Sequence, residues 1–511
     1  MNKTATVYLV GAGPGDAGLL TLRGAELLRR ADVVIYDGLV NPELLRHAPR
    51  TAELIPRGKR QKVSLEQLNE LMITKARAGK CVVRLKGGDP YIFGRGAEEA
   101  EALAQAKIPF EVVPGVSSIS AASNYAGIPL THRDHCSNFT VFTGHEGDDK
   151  AGSSLDFDQI ARISGTKVIL MGVTHLPELT QALRARGMAE TTPVAIVQRG
   201  TTGAQKSIAG TLGTIAQLAR EQNLQPPAIT IIGDVVNLRR QLNWFEHRPL
   251  FGQRIVVTRS REQASDFAHR LTELGAEVWE IPCIKLGLPT QLQLVADAML
   301  ELNSYDWLVF TSPNGVATFF DYFFKAFKDM RDLGGARIAA VGPGTAAKLR
   351  ELHLQVDLMP EEALAAKVAA AFKKFETIEN LKICLLRAEV ANPELPKALE
   401  ALGAIVDDIA VYKTLAETED STGAGAKLLE AGADWLTFTS ASTVEHFHAR
   451  FDLPALLKKF PQTQLASIGP ETSKALADLK IKPALEAKEH TIEGLTRALL
   501  KVTKASPHPA H

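Results

Sequence analysis

Short apolar runs recur through the first half of the chain, and most of them stop at glycine or proline. Val7–Val10 runs into Gly11-Ala12-Gly13-Pro14-Gly15, Val82–Leu85 into Lys86-Gly87-Gly88-Asp89-Pro90, and Phe110–Val113 into Pro114-Gly115. Val168–Met171 stops at Gly172, and Val194–Val197 leads to Arg199-Gly200. Leu19–Arg30 places its apolar residues at helical spacing and precedes another run, Val33–Tyr36. Residues 6–36 therefore predict strand, loop, helix and strand. Strands alternating with helices predict an α/β fold. Ligands of open α/β sheets sit at the carboxyl ends of the strands, so these glycine loops mark the expected site.

The pattern breaks at Asn243–Gly252, after a last strand-like stretch at Ala228–Ile232 and before a fresh one at Arg254–Thr258. A domain boundary is expected near residue 250. Beyond it the chain repeats itself. Tyr305-Asp306-Trp307-Leu308-Val309-Phe310-Thr311-Ser312 returns as Ala433-Asp434-Trp435-Leu436-Thr437-Phe438-Thr439-Ser440, 128 residues later. Val341-Gly342-Pro343-Gly344-Thr345 returns as Ile468-Gly469-Pro470-Glu471-Thr472 at an offset of 127, and Arg254–Arg259 as Lys382–Arg387 at 128. Units of this length are too long for a solenoid and predict two similar α/β lobes facing one cleft.

Composition narrows the classes. The 511 residues suffice for about three compact domains. Lys+Arg and Asp+Glu both number 58, so the basic excess of a nucleic-acid binder is missing. The four cysteines lie far apart, which excludes a disulfide scaffold or a zinc knuckle. His132 and His135 find no third ligand at usable spacing, so no metal is expected. No apolar run reaches the roughly 18 residues of a membrane span. The N-terminus leads directly into a strand with no room for a signal peptide, which predicts a cytoplasmic protein.

Gly13, Gly15 and Gly18 satisfy G-x-G-x-x-G between a strand and a helix, with Asp37 about 20 residues on. Read alone, this predicts a nicotinamide-dependent oxidoreductase. Pro14 removes a donor a pyrophosphate would use, and Asp16 adds a carboxylate beside the anion. The Gly87–Gly96 loop and Pro114–Ser118 add further carboxylate and hydroxyl groups. Together they favour a cationic or neutral nucleoside over a nucleotide.

Val10–Asp16, Val34-Ile35-Tyr36-Asp37, Gly58-Lys59-Arg60, Gly87–Gly96, Gly127–Asp134 and Leu242-Asn243-Trp244-Phe245 occur in order. On these motifs, residues 1–246 resemble uroporphyrinogen-III C-methyltransferase. The resemblance implies a two-lobed tetrapyrrole-methylase fold, S-adenosyl-L-methionine as methyl donor, and a homodimer formed through this half. It implies a cofactor site of Pro14, Gly87, Gly88, Asp89, Ile92, Ser117, Ser118, Met171 and Gly200, with Asp37 as general base and Lys59 as general acid. Ser117-Ser118 departs from the family's usual Thr-Ala. The implied substrate is a polycarboxylate tetrapyrrole, so Arg133, Arg95, Lys86 and Arg60 are candidate partners for its carboxylates.

After a linker at 247–253, residues 254–504 resemble uroporphyrinogen-III synthase, ahead of a tail at 505–511. The resemblance implies a duplicated two-lobed α/β domain with crossed lobes, 254–285 plus 414–504 and 289–409, and no cofactor. It implies Tyr412, Thr345 and Thr472 as catalytic groups, with Ser312, Asn314, Arg387 and Ser440 near the substrate. No strong acid or base stands out, so templating of the bilane's fold is expected over acid–base catalysis, with Tyr412 the best proton donor. One half would then make what the other consumes. The expected activity is closure of hydroxymethylbilane to uroporphyrinogen III and its double methylation to precorrin-2, on the sirohaem or cobalamin route, without membrane or nucleic-acid partners.

Overall fold

The computed structural model describes residues 5–57, 64–144, 155–259, 261–362, 364–420 and 422–505. Contacts divide the chain into two compact units. One runs up to Ile255 and adds His269–Trp279 and the segment from Leu500; the other is Val256–Ala268 with Glu280–Leu499.

The first sheet holds β1 (Val7–Gly11), β2 (Val33–Asp37), β3 (Glu53–Arg57), β4 (Val82–Lys86) and β5 (Phe110–Val113) in the order β3-β2-β4-β1-β5. All its pairings are parallel, so Gly11, Asp37, Lys86 and Val113 end at one edge. The continuous apolar runs follow from burial on both faces. Val7, Leu9, Val33 and Ile35 pack on one side with Leu68, Met72 and Ala76, the buried stripe of the helix Leu65–Arg77. Val10, Val34 and Leu85 pack on the other with Leu27 and Leu28. Ser64 and Gln67 cap the Leu65–Arg77 helix reciprocally, each side chain accepting the other's backbone N–H.

The second sheet holds β6 (Phe139–Thr143), β7 (Thr166–Leu170), β8 (Pro193–Gln198), β9 (Lys206–Thr211) and β10 (Ala228–Ile232), in the order β6-β7-β10-β8-β9. It is mixed, with β10 antiparallel to both β7 and β8. β10 therefore begins at the edge where β7 and β8 end.

The later half forms two further sheets from β11 (Arg254–Val257), β12 (Glu277–Glu280), β13 (Ile284–Gly287), β14 (Trp307–Phe310), β15 (Arg337–Ala340), β16 (Lys382–Ala388), β17 (Ile405–Ala416), β18 (Trp435–Phe438), β19 (Gln464–Ser467) and β20 (Leu485–Glu486). Their orders are β12-β11-β18-β19-β20 and β13-β17-β16-β14-β15. The 128-residue repeat maps β11 and β12 onto β16 and β17, and β14 and β15 onto β18 and β19. Each sheet thus joins the opening strands of one copy to the closing strands of the other. Two buried threonines staple one such junction: Thr258 donates to the Thr437 carbonyl and Thr437 to the Val256 carbonyl, both at 2.8 Å.

Two details differ from the sequence pattern. The helix expected over Leu19–Arg30 begins only at Leu22, because Asp16 caps a short 3-10 turn at Ala17–Leu19 and Thr21 caps the α-helix after it. The strands β3, β6 and β9 carried no strong apolar run, since all three lie at sheet edges.

Candidate functional site

Three loops leave the carboxyl edge of the first sheet and touch backbone to backbone. Ala12 N–H donates to the Lys86 carbonyl and Gly88 N–H to the Gly13 carbonyl, each at 2.8 Å. A Cβ on Gly115 would lie 2.3 Å from the Gly88 carbonyl oxygen and 2.6 Å from Gly11 Cα, so glycine is required there for loop-on-loop approach. Asp89 clamps the same assembly: Oδ1 accepts from Tyr91 N–H at 2.9 Å and Oδ2 from Gly115 N–H at 3.1 Å.

The nicotinamide reading of the first loop is not supported. The Gly18 N–H, which a phosphate would need, donates to Asp16 Oδ1 at 2.8 Å, and Gly24 N–H is taken by Thr21. Asp16 Oδ2 accepts from Tyr125 at 2.7 Å; with burial, this carboxylate holds the phenol well above its usual range.

A cavity of about 550 Å³ opens where the loops of the two sheets meet. Pro14 and Leu39 reach it from beyond β1 and β2, Met171 from beyond β7, Arg199 and Gly200 from beyond β8, and Pro226, Pro227 and Ala228 from the start of β10. Ser118, Ala122, Val197 and Ile229 complete much of an apolar wall. Met171, Arg199 and Thr201 have φ of +55°, +47° and +72°, a cluster of left-handed backbone at and beside the cavity. A Cβ on Gly200 would meet that of Ala122 at 2.5 Å.

Four of the nine expected cofactor residues line this cavity: Pro14, Ser118, Met171 and Gly200. Gly87, Gly88 and Asp89 lie in the adjoining loop cluster. Ser117 caps the helix Ser118–Tyr125 by accepting from Ile119 N–H, and Ile92 is largely exposed. Leu39, Ala122, Arg199 and Pro227 were not anticipated.

Beside the loops lies a buried ionic cluster. Arg84 Nη2 donates to Asp37 Oδ1 at 2.5 Å, and Arg84 Nε and Nη2 both reach Glu99 Oε1 at 3.2 Å. Lys86 Nζ donates to the same oxygen at 2.8 Å. Arg84 and Glu99 are 0% exposed and Lys86 1%. Burial, then the charge of Arg84, pulls the Lys86 ammonium below its usual range. Arg57 Nη1 stands 3.7 Å from Asp37 Oδ1. Both guanidinium groups meet Asp37 at Oδ1.

Lys86 is thus committed to Glu99, which corrects its expected place among the substrate's partners. Lys59 and Arg60 lie outside the described residues. Arg95, at φ +57°, pairs with Glu98 at 2.5 Å, and Arg133 is exposed in the turn where His132 N–H meets the Cys136 carbonyl. Arg84 and Glu99 were missed, although a charge inside Val82–Leu85 was the available signal: a strand buried on both faces needs a partner for it.

In the later half, Tyr412 is buried and shares a 3.1 Å hydrogen bond with Ser312 Oγ. It sits where β17 changes partner, from β16 through Ala388↔Tyr412 to β13 through Gly287↔Lys413. Ser312 and Ser440 cap the helices Pro313–Ala326 and Ala441–Phe451, and Asn314 lies in the first turn of the former. Arg387 is held by both oxygens of Asp408 and donates to the Asn392 carbonyl at 2.7 Å. Thr345 and Thr472 are each 2% exposed, at the third position of helices whose starts carry no side-chain cap. Thr345 Oγ1 donates to the Val341 carbonyl at 3.4 Å.

No helix among the described residues is long and apolar enough to cross a membrane. Among them no three His, Cys, Asp or Glu side chains gather as a metal site would require.

The chain matches two family models: Tetrapyrrole (Corrin/Porphyrin) Methylases over residues 6–216, and Uroporphyrinogen-III synthase HemD over residues 265–497. A porphyrin biosynthesis protein HemD of Ruminiclostridium josui is 39% identical over 501 residues, 97% of this chain and 98% of that one. A uroporphyrinogen-III C-methyltransferase of Bacillus subtilis is 36% identical over 386 residues, 75% of this chain and 79% of its own length. Among solved structures, a uroporphyrin-III C-methyl transferase from Thermus thermophilus complexed with S-adenyl homocysteine is 39% identical. It covers 46% of this chain and 100% of its own, with a TM-score of 0.40.

Proposed function

We propose a pair of linked reactions for this chain, which belongs to the family of proteins that join a tetrapyrrole methylase to a uroporphyrinogen-III synthase. The later half cyclises hydroxymethylbilane to uroporphyrinogen III. The earlier half methylates that product twice, with S-adenosylmethionine as donor, to give precorrin-2.

The observation that carries the reading is the cavity at the carboxyl edges of the first two sheets, lined by Pro14, Met171 and Gly200. Its volume falls among those of small-molecule sites, and its apolar wall with few polar groups suits a nucleoside without phosphates. S-adenosylmethionine, when bound, supplies an electrophilic methyl group on a sulfonium. The residues of the chain do the rest. The cavity walls align donor and pyrrole and shield them from water. Asp37, oriented through Oδ1 by Arg84, accepts at Oδ2 the proton that the methylated ring loses. Lys59 serves as general acid, and Arg95 and Arg133 receive substrate carboxylates.

In the later half, Tyr412 donates a proton to the departing hydroxide of the bilane, with Ser312 orienting its hydroxyl. The helix starts before Thr345 and Thr472, with Asn314 and Ser440, receive carboxylates through backbone and side-chain donors. Arg387 shapes the same edge through Asp408. This half works without a cofactor, the methyltransferase half forms a homodimer, and the reactions take place in the cytoplasm.

The test is incubation of the purified chain with hydroxymethylbilane, with and without S-adenosylmethionine, following the pigments spectroscopically. Uroporphyrinogen III is expected without the donor and precorrin-2 with it. Absence of any methylated pigment sinks the methylation, and accumulation of uroporphyrinogen I sinks the ring closure.

A further inference from the structure

The cavity wall depends on residues that do not line it. Pro14 and Gly200 belong to loops that meet just behind the wall, where Asp16 N–H donates to Thr201 Oγ1 at 3.0 Å. Thr201 is buried at φ +72°, a conformation that β-branched residues avoid. Its own N–H donates to Gln205 Oε1 at 2.9 Å, and Gln205 Nε2 donates to Glu246 Oε1 at 2.9 Å. Glu246 accepts in addition from Asn243 at 3.1 Å and from Arg239, whose other arm reaches the Ala126 carbonyl at 2.6 Å. Tyr125, which donates to Asp16, packs its ring on Trp244 and Phe245 at 5.1 and 4.8 Å. The tail Asn243-Trp244-Phe245-Glu246 thus grips both loops from behind.

We propose that Gln205 and Glu246 are positioning residues for the methyl-donor site, holding Thr201 in its left-handed conformation and so setting the spacing between the Pro14 and Gly200 walls. The inference rests on the assignment of this cavity to S-adenosylmethionine. With the acceptor at Gln205 gone, the buried Thr201 N–H loses its partner and φ relaxes toward the ordinary region. Gly200, the preceding residue, moves with it.

In the full chain, Gln205→Leu is expected to weaken S-adenosylhomocysteine binding about 10- to 100-fold by calorimetry and to raise the donor KM alike. At saturating donor, kcat and the KM for uroporphyrinogen III stay within about twofold, because only the donor wall is displaced. The exchanged double variant, Gln205→Glu with Glu246→Gln, keeps an acceptor for Thr201 and a hydrogen bond within the pair, so it recovers most of the donor affinity. Unchanged affinity in a folded Gln205→Leu overturns the proposal. So does a loss spread equally over kcat and both KM values that the exchange does not recover. Should Gln205→Leu fail to fold, Glu246→Gln takes its place, with a loss of about threefold or more expected; unchanged donor affinity there is again fatal. Failure of the unaltered protein to bind S-adenosylhomocysteine strikes the assignment of the cavity instead.

Discussion

At the ends of β2 and β4 the chain gathers four ionisable side chains, Asp37, Arg84, Lys86 and Glu99, three of them fully or almost fully buried. At the ends of β14 and β18 it places serine-capped helix starts, whose neutral hydroxyls accept from backbone N–H groups. The two arrangements differ in what a single substitution removes. A buried ion left without its partner has no water to turn to, so breaking the first costs several kcal/mol. A lost cap is replaced by solvent at the surface and costs about 1 kcal/mol. The first region is therefore the more brittle, and its geometry is tied to the one carboxylate assigned to chemistry.

The comparison is broken most directly at Asp37. Asp37→Ala should lower precorrin formation about 10²- to 10⁴-fold while ring closure by the same preparation continues. Undiminished methylation of supplied uroporphyrinogen III removes Asp37 from the mechanism. Arg84→Met comes next. It removes the guanidinium that Asp37 and Glu99 share, leaving them Arg57 and Lys86, and should cost about 3–5 kcal/mol in denaturant unfolding. Arg387→Met, whose partner Asp408 is 37% exposed in its side chain, should cost less, about 1–3 kcal/mol. Equal losses at the two arginines would erase the contrast.

Tyr412→Phe tests the later half on its own terms. Removing the hydroxyl that meets Ser312 should slow ring closure about 10- to 100-fold, with methylation of supplied uroporphyrinogen III unaffected. A wild-type closure rate would leave templating alone to explain the reaction. The smallest effects belong to the caps. Ser312→Ala and Ser440→Ala should each lower stability by about 1 kcal/mol, read as a shift in denaturation midpoint. Ser312→Ala should slow closure more than Ser440→Ala, because of the two only Ser312 touches Tyr412.

Much of this was legible in the residues. β1, β2 and β4 are buried on both faces, so their apolar runs stood out, and the 128-residue repeat reappears strand for strand in the later sheets. The edge strands β3 and β9 were not legible, because a strand paired on one side keeps polar residues such as Glu53, Arg57 and Lys206. Within the site, glycines read as room for a ligand serve partly as room for one another, as at Gly11 and Gly115. Arg84 and Glu99 lie 15 residues apart in different elements, and only the fold reveals that the helix Gly96–Gln105 turns Glu99 toward β4. Thr201 at φ +72° carried no sequence signal, since threonine is a poor candidate for that conformation.

The swapped halves of the repeat have a temporal consequence. Thr258 finds its partner Thr437 only after 179 further residues have been synthesised. At about 5–20 residues per second, the opening strand of the later half waits on the order of ten seconds or more with its edge unpaired. Neither copy can close its own sheet, so a chain stopped anywhere between the two copies has nothing to complete it. The sheet β13-β17-β16-β14-β15 can close once Ala416 has been made, whereas β12-β11-β18-β19-β20 must wait for Leu485-Glu486.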